Sequence, residues 1–158
     1  MKRISLTLCL AFLTVLFCQA QVAPLKFNKN GEFKIVQFTD IHFQYHNPAS
    51  AIALKRINEV LDAERPDLIV FTGDVVYAPP ADTAMRAVLD CASSRKIPFV
   101  VTFGNHDNEQ GKTRAELYDI IRSMPYNIQP DRGSVESPDY VLTVKSSDGK
   151  KDASVLYC

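Results

Sequence analysis

The chain has 158 residues, 46% hydrophobic and 23% charged, which is the composition of an ordinary globular domain with material for one core. Its 18 basic and 18 acidic side chains cancel. With no basic stripe interleaved with aromatics, that balance removes the electrostatic case for a nucleic-acid binder.

Residues 1–20 read as a secretory signal peptide. Lys2 and Arg3 supply a positive start, and Ile4 to Phe17 is an apolar run shorter than the about 20 residues a membrane span needs. Cys18-Gln19-Ala20 puts small residues where a signal peptidase reads, so cleavage is expected after Ala20 and the mature chain is expected outside the cytoplasm, periplasmic or secreted. An uncleaved anchor and a lipid anchor on Cys18 compete with this reading. The run is short for the first, and Phe17 is bulky for the second. Cleavage leaves no transmembrane helix and only Cys91 and Cys158 of the four cysteines, too few for a disulfide framework.

Residues 21–31 read as a polar leader ending in a turn, and 32–158 as one domain. Phe33 to Thr39 alternates apolar and polar, as a strand does. Ser50 is placed to cap a helix with Ala53, Ile57, Val60 and Leu61 on one face and Pro66 as its stop. Leu68 to Phe71 is a continuous apolar run, suited to a strand buried on both faces. Asp82 is placed to cap a second helix whose Met85, Val88, Leu89, Cys91 and Ala92 face inward. Pro98 opens a third strand, Phe99 to Phe103. Thr113 and Glu116 have capping-box spacing, and Leu117, Ile120, Ile121 and Met124 follow at helical intervals until Pro125. Tyr140 to Val144 and Ala153 to Tyr157 flank a turn-like stretch and predict an antiparallel hairpin. The fold class is therefore α/β: a parallel β-α-β-α-β-α half followed by an antiparallel hairpin. The chain stops inside that last apolar strand, which reads as a truncation.

The loops after the three parallel strands carry the chemistry. The first strand leads into Asp40-Ile41-His42, the second into Gly73-Asp74, the third into Gly104-Asn105-His106-Asp107. Parallel strands put all three loops on one sheet edge, where open α/β sheets bind ligands. Carboxylate, amide oxygen and imidazole together suit Zn, Mn or Fe, and a carboxylate such as Asp74 can bridge two ions about 3.5–4 Å apart. Gly73 and Gly104 clear side-chain bulk where the backbone turns. Taken singly, Asp40 with His42, or Asn105 with Asp107, could be ordinary turn residues. Their recurrence after three strands argues otherwise. His46 sits in a polar, proline-bearing loop and reads as plain surface. No Gly-x-Gly-x-x-Gly or P-loop supports a nucleotide cofactor.

In this order, Asp-x-His, Gly-Asp and Gly-Asn-His-Asp resemble the first three motifs of the calcineurin-like metallophosphoesterase superfamily. The wording of Phe33 to Phe43, Arg65 to Asp74 and Phe103 to Asp107 is similar to its purple-acid-phosphatase-like branch. The resemblance covers about residues 32 to 125 and implies part of a metallophosphoesterase sandwich, a two-metal site (Fe, Mn or Zn) and a phosphate mono- or diester as substrate. It implies Asp40 and His42 on the first metal, Asp74 as the bridge, Asn105 on the second metal, His106 facing the substrate and Asp107 orienting the His106 ring. Tyr77, in Gly-Asp-Val-Val-Tyr, stands where purple acid phosphatases place a tyrosine ligand, and reads either as a ligand or as an aromatic beside the site. The Asp-Arg pair that follows Gly-Asp in protein phosphatases is missing. The family completes its site with three further histidines, but this chain has only His42, His46 and His106. A chain that is inactive as it stands, with residual metal binding at most, is therefore the alternative expectation. Nothing in the sequence indicates an oligomeric state.

Overall fold

In the computed structural model the described residues are 22–158, so the signal peptide expected at 1–20 lies outside them. Strands β1 (Ile35–Phe38), β2 (Leu68–Thr72) and β3 (Phe99–Thr102) form a parallel sheet in the order β1-β2-β3. Ile35 is paired with Leu68, and Ile69 with Phe99. Helices α1 (Ala51–Glu64) and α2 (Ala81–Ser93) cross between them, and α3 (Arg114–Arg122) follows β3. Strands β4 (Val141–Lys145) and β5 (Asp152–Tyr157) pair antiparallel, with an irregularity at Val144/Lys145.

Alternation along β2 and β3 sorts the core into two layers. Ile69, Phe71, Phe99 and Val101 face the helices and pack with Ile57, Leu61, Met85, Val88, Leu89, Leu117 and Ile121. Leu68 and Val100 face the other way, against Leu142 and Val144 of the hairpin. Burial on both faces is why Leu68 to Phe71 has no polar interruption. Each fully buried Leu, Ile or Phe here contributes about 1.5–3 kcal/mol.

The local signals resolve in detail. The capping box forms in full: Thr113 Oγ1 accepts from Glu116 N, and a Glu116 carboxylate oxygen accepts from Thr113 N at 2.9 Å. Helix α1 ends with Arg65 in the left-handed region (φ 47°), just before Pro66. Two caps differ from expectation. Ser50 does not cap α1, because a 3₁₀ turn (Pro48–Ser50) runs directly into it. Ser50 Oγ instead accepts from Gln44 N at 3.0 Å, pinning the loop after β1. Asp82 lies inside the first turn of α2, since the extended Pro80 occupies the cap position. Its carboxylate still meets the favourable end of the helix dipole. The segment read as a polar leader is docked: Leu25 is buried, and Leu25 to Phe27 hydrogen-bond along Lys145. Cys91 is buried, as expected, and Cys91 and Cys158 are both free thiols. Among the described residues no helix is long and apolar enough to cross a membrane.

Candidate metal centre

The loops at the carboxyl edge of the parallel sheet are laced together by backbone. Beyond β1, Asp40 N donates to Gly73 O (3.1 Å), His42 N to Asp74 O (2.9 Å) and Phe43 N to Val75 O (2.9 Å). Tyr77 N then returns a bond to Phe43 O at 3.0 Å. Asp40, His42 and Asp74 all have positive φ, at 52°, 50° and 51°. Such conformations are uncommon outside glycine and cost energy unless the surroundings fix them. Here they occur together, at the residues the motifs singled out.

Asp74 is the centre. It is 9% exposed, its Oδ1 accepts from His106 N at 2.9 Å, and its Oδ2 lies 3.6 Å from His42 Nε2. One ligand atom each from His42, Asp74 and His106 lie within 4.8 Å of one another. An ion bonded at about 2.0–2.2 Å holds its ligand atoms about 3–4 Å apart, a spacing the His42–Asp74 pair already has, with His106 beside it. Imidazole and carboxylate together are a donor set for Zn, Mn or Fe. Asp40 is exposed, stands outside the trio, and its Oδ2 accepts from Thr39 Oγ1 at 2.6 Å. Asn105 is exposed between Gly104 and His106 on the third loop. His46 is exposed against Tyr45, as expected of a surface residue.

The glycines are demanded by contact. A Cβ on Gly73 would lie 2.5 Å from Gly104 N, and a Cβ on Gly104 would lie 2.0 Å from Asp74 Oδ1. The second and third loops touch backbone to backbone. Tyr77 closes the mouth, its ring edge-on to His42 and His106 with centroids 5.1 and 5.0 Å away.

Asp107 does not orient the His106 ring. It is fully buried, and its carboxylate accepts from four backbone groups: Asp74 N (3.0 Å) and Gly104 N (2.9 Å) on Oδ2, Val75 N (2.8 Å) and Val76 N (3.2 Å) on Oδ1. Three successive N–H groups of the second loop thus form an anion-binding concavity that the third loop fills. The group on the His106 ring is Glu109, with Nδ1 to Oε2 at 2.6 Å. Sequence reading passed over Glu109. Its i+3 spacing from His106, across the 3₁₀ turn Asp107–Glu109, was the available signal.

Glu109 also raises the His106 pKa above the ordinary imidazole value, chiefly through that hydrogen bond. The folded chain therefore holds the His106 proton more tightly than the unfolded one does. The stabilisation is complete below the unfolded imidazole value and is lost as pH rises through the folded one. In an NMR titration of the metal-free chain, the His106 ring signals are expected to move at higher pH than those of a histidine in an unstructured peptide. Coincident midpoints would contradict the pairing.

A family model described as calcineurin-like phosphoesterase matches residues 33–148. The chain belongs to that family. Among its relatives, "Probable inactive purple acid phosphatase 29" of Arabidopsis thaliana is 37% identical over 123 residues, covering 67% of this chain and 32% of the relative. "Probable inactive purple acid phosphatase 28" of the same plant is 28% identical over 143 residues, covering 80% and 36%. "Phosphatase DCR2" of Saccharomyces cerevisiae is 32% identical over 115 residues, covering 62% and 20%. The chain thus spans between a fifth and about a third of the length of these relatives. The matched region takes in all three loops, so in this calcineurin-like phosphoesterase chain the expected α/β fold and the purple-acid-phosphatase-like resemblance both hold.

Proposed function

We propose that the chain supplies the metal-binding half of a phosphoester hydrolase that works outside the cytoplasm on a phosphate mono- or diester. The observation that carries this is the convergence of His42, Asp74 and His106 from three separate loops. In this reading His42 and Asp74 are ligands, with Asp40 and Asn105 joining them when ions bind and Asp74 serving both ions of a two-metal site. Bound ions would polarise the phosphoryl group and make hydroxide available near neutral pH. His106 faces the substrate and hands a proton to the departing oxygen. Tyr77 borders the site as an aromatic wall, its ring beside those of His42 and His106. Export rests on the character of residues 1–20.

Two observations favour a second reading, a non-catalytic metal binder. The chain holds three histidines in all, and two of the three relatives named above carry the word "inactive" in their names. One experiment sorts the readings. The purified chain and an Asp74→Ala variant are titrated with Zn²⁺ by calorimetry and assayed on p-nitrophenyl phosphate. We expect zinc binding that weakens at least about tenfold in the variant. Hydrolysis by the chain, abolished in Asp74→Ala, supports the hydrolase. Zinc binding without hydrolysis supports the second reading. Equal zinc binding by both proteins sinks the site.

A further inference from the structure

We propose that Glu109 is the positioning residue of His106: it fixes the tautomer and aim of the ring so that Nε2 is the one group His106 has free for chemistry. The proposal rests on the reading of His106 as the proton donor and adds a residue that the motifs do not contain.

Every other polar group of His106 is spoken for. Its N–H donates to Asp74 Oδ1 at 2.9 Å. Its carbonyl accepts from Glu109 N at 3.1 Å and from Gln110 Nε2 at 3.3 Å. Its Nδ1 meets Glu109 Oε2 at 2.6 Å. Tyr77 and His42 pack edge-on against the ring, with centroids 5.0 and 5.6 Å away, and limit its rotation. The short turn Asp107–Glu109 links this arrangement to the buried anchor, because its first residue is the Asp107 held by four backbone N–H groups. Glu109 therefore stands on a fixed base and is not a loose surface carboxylate, although its own side chain is half-exposed.

The chemistry follows from the proton count. A carboxylate on Nδ1 only accepts, so Nδ1 carries a proton in both charge states of the ring. The charged ring then donates from Nε2–H to the leaving oxygen. What remains is neutral imidazole with its proton on Nδ1, already paired to Glu109, and the ring needs neither a flip nor a tautomer change. With the carboxylate gone, the neutral ring can place its proton on Nε2, and the aim of the ring is set only by aromatic packing.

The test reads the tautomer directly. The full chain is labelled with ¹⁵N, kept free of metal and held at a pH where His106 is neutral. Ring nitrogens are assigned by loss of signals in His106→Gln. In the parent chain Nδ1 is expected to be the protonated nitrogen. In Glu109→Ala the Nδ1–H form is expected to lose its dominance, with His42 and His46 unchanged. The same tautomer populations in both proteins would overturn the proposal, whatever their stability. A second arm compares phenyl phosphate with p-nitrophenyl phosphate. In Glu109→Ala the rate on phenyl phosphate, whose leaving group needs the proton more, is expected to fall about tenfold further than the rate on p-nitrophenyl phosphate. Equal losses on the two substrates would overturn the aiming role. A parent chain that hydrolyses neither substrate counts against the hydrolase reading alone, and the tautomer comparison still decides Glu109.

Discussion

Asp107→Asn is expected to remove about 4 kcal/mol of stability. The carboxylate is 0% exposed and accepts from the N–H groups of Asp74, Val75, Val76 and Gly104, two on each oxygen. An asparagine keeps one acceptor oxygen and sets an NH₂ against the other two donors. Two charge-assisted bonds become neutral ones, and two buried donors lose their partner at about 1–3 kcal/mol each. Against a total of about 5–15 kcal/mol for a domain, the loss moves the urea midpoint by a large fraction. The damage also reaches the site, because the freed N–H groups belong to the loop that carries Asp74. Urea unfolding followed by circular dichroism checks this. A change below about 1 kcal/mol would mean that the four bonds do not hold in solution.

Gly104→Ala is expected to cost about 3 kcal/mol and at least tenfold in zinc affinity. The new methyl would sit 2.0 Å from Asp74 Oδ1 and 2.5 Å from Asp74 N, and neither atom can yield freely. Asp74 N is tied to Asp107, and Asp74 Oδ1 accepts from His106 N. Overpacking of this kind typically costs about 1–3 kcal/mol, and breaking the Asp74–His106 bond adds about 1 more. Separation of the two loops carries Asp74 away from His106 and dismantles the trio. Thermal unfolding with zinc calorimetry reads both effects. Parent-like stability together with parent-like affinity would show that the two loops are not in contact.

The parts legible in the sequence were those set by neighbours along the chain or by a long pattern. The capping box at Thr113 needs only residues three apart. The burial of β2 on two faces shows as an unbroken apolar run, and the three loops share one edge because parallel strands leave no alternative. Asp107 shows the limit. Its type and place were visible, but three of its four partners lie 31 to 33 residues away on backbone that carries no side-chain signature. A turn acid beside a histidine was read as serving that histidine, when buried amide donors made the stronger claim on it. Glu109 then took the vacant place on the ring. Leu25 was passed over for a related reason: one apolar residue in a polar segment has no period, and only the hairpin it meets makes it part of the core.

The strands that carry these loops sit at unequal depth. Residues of β1 alternate between exposed and half-buried, whereas β2 and β3 are largely sealed. Backbone opens most readily where the fewest apolar contacts hold it. The arm bearing Asp40 and His42 thus stands on the least buried strand, and the arms bearing Asp74 and His106 stand on the sealed ones. In the proposed reading, release of the His42 imidazole alone would let an ion exchange with the surrounding solution without any loss of the fold.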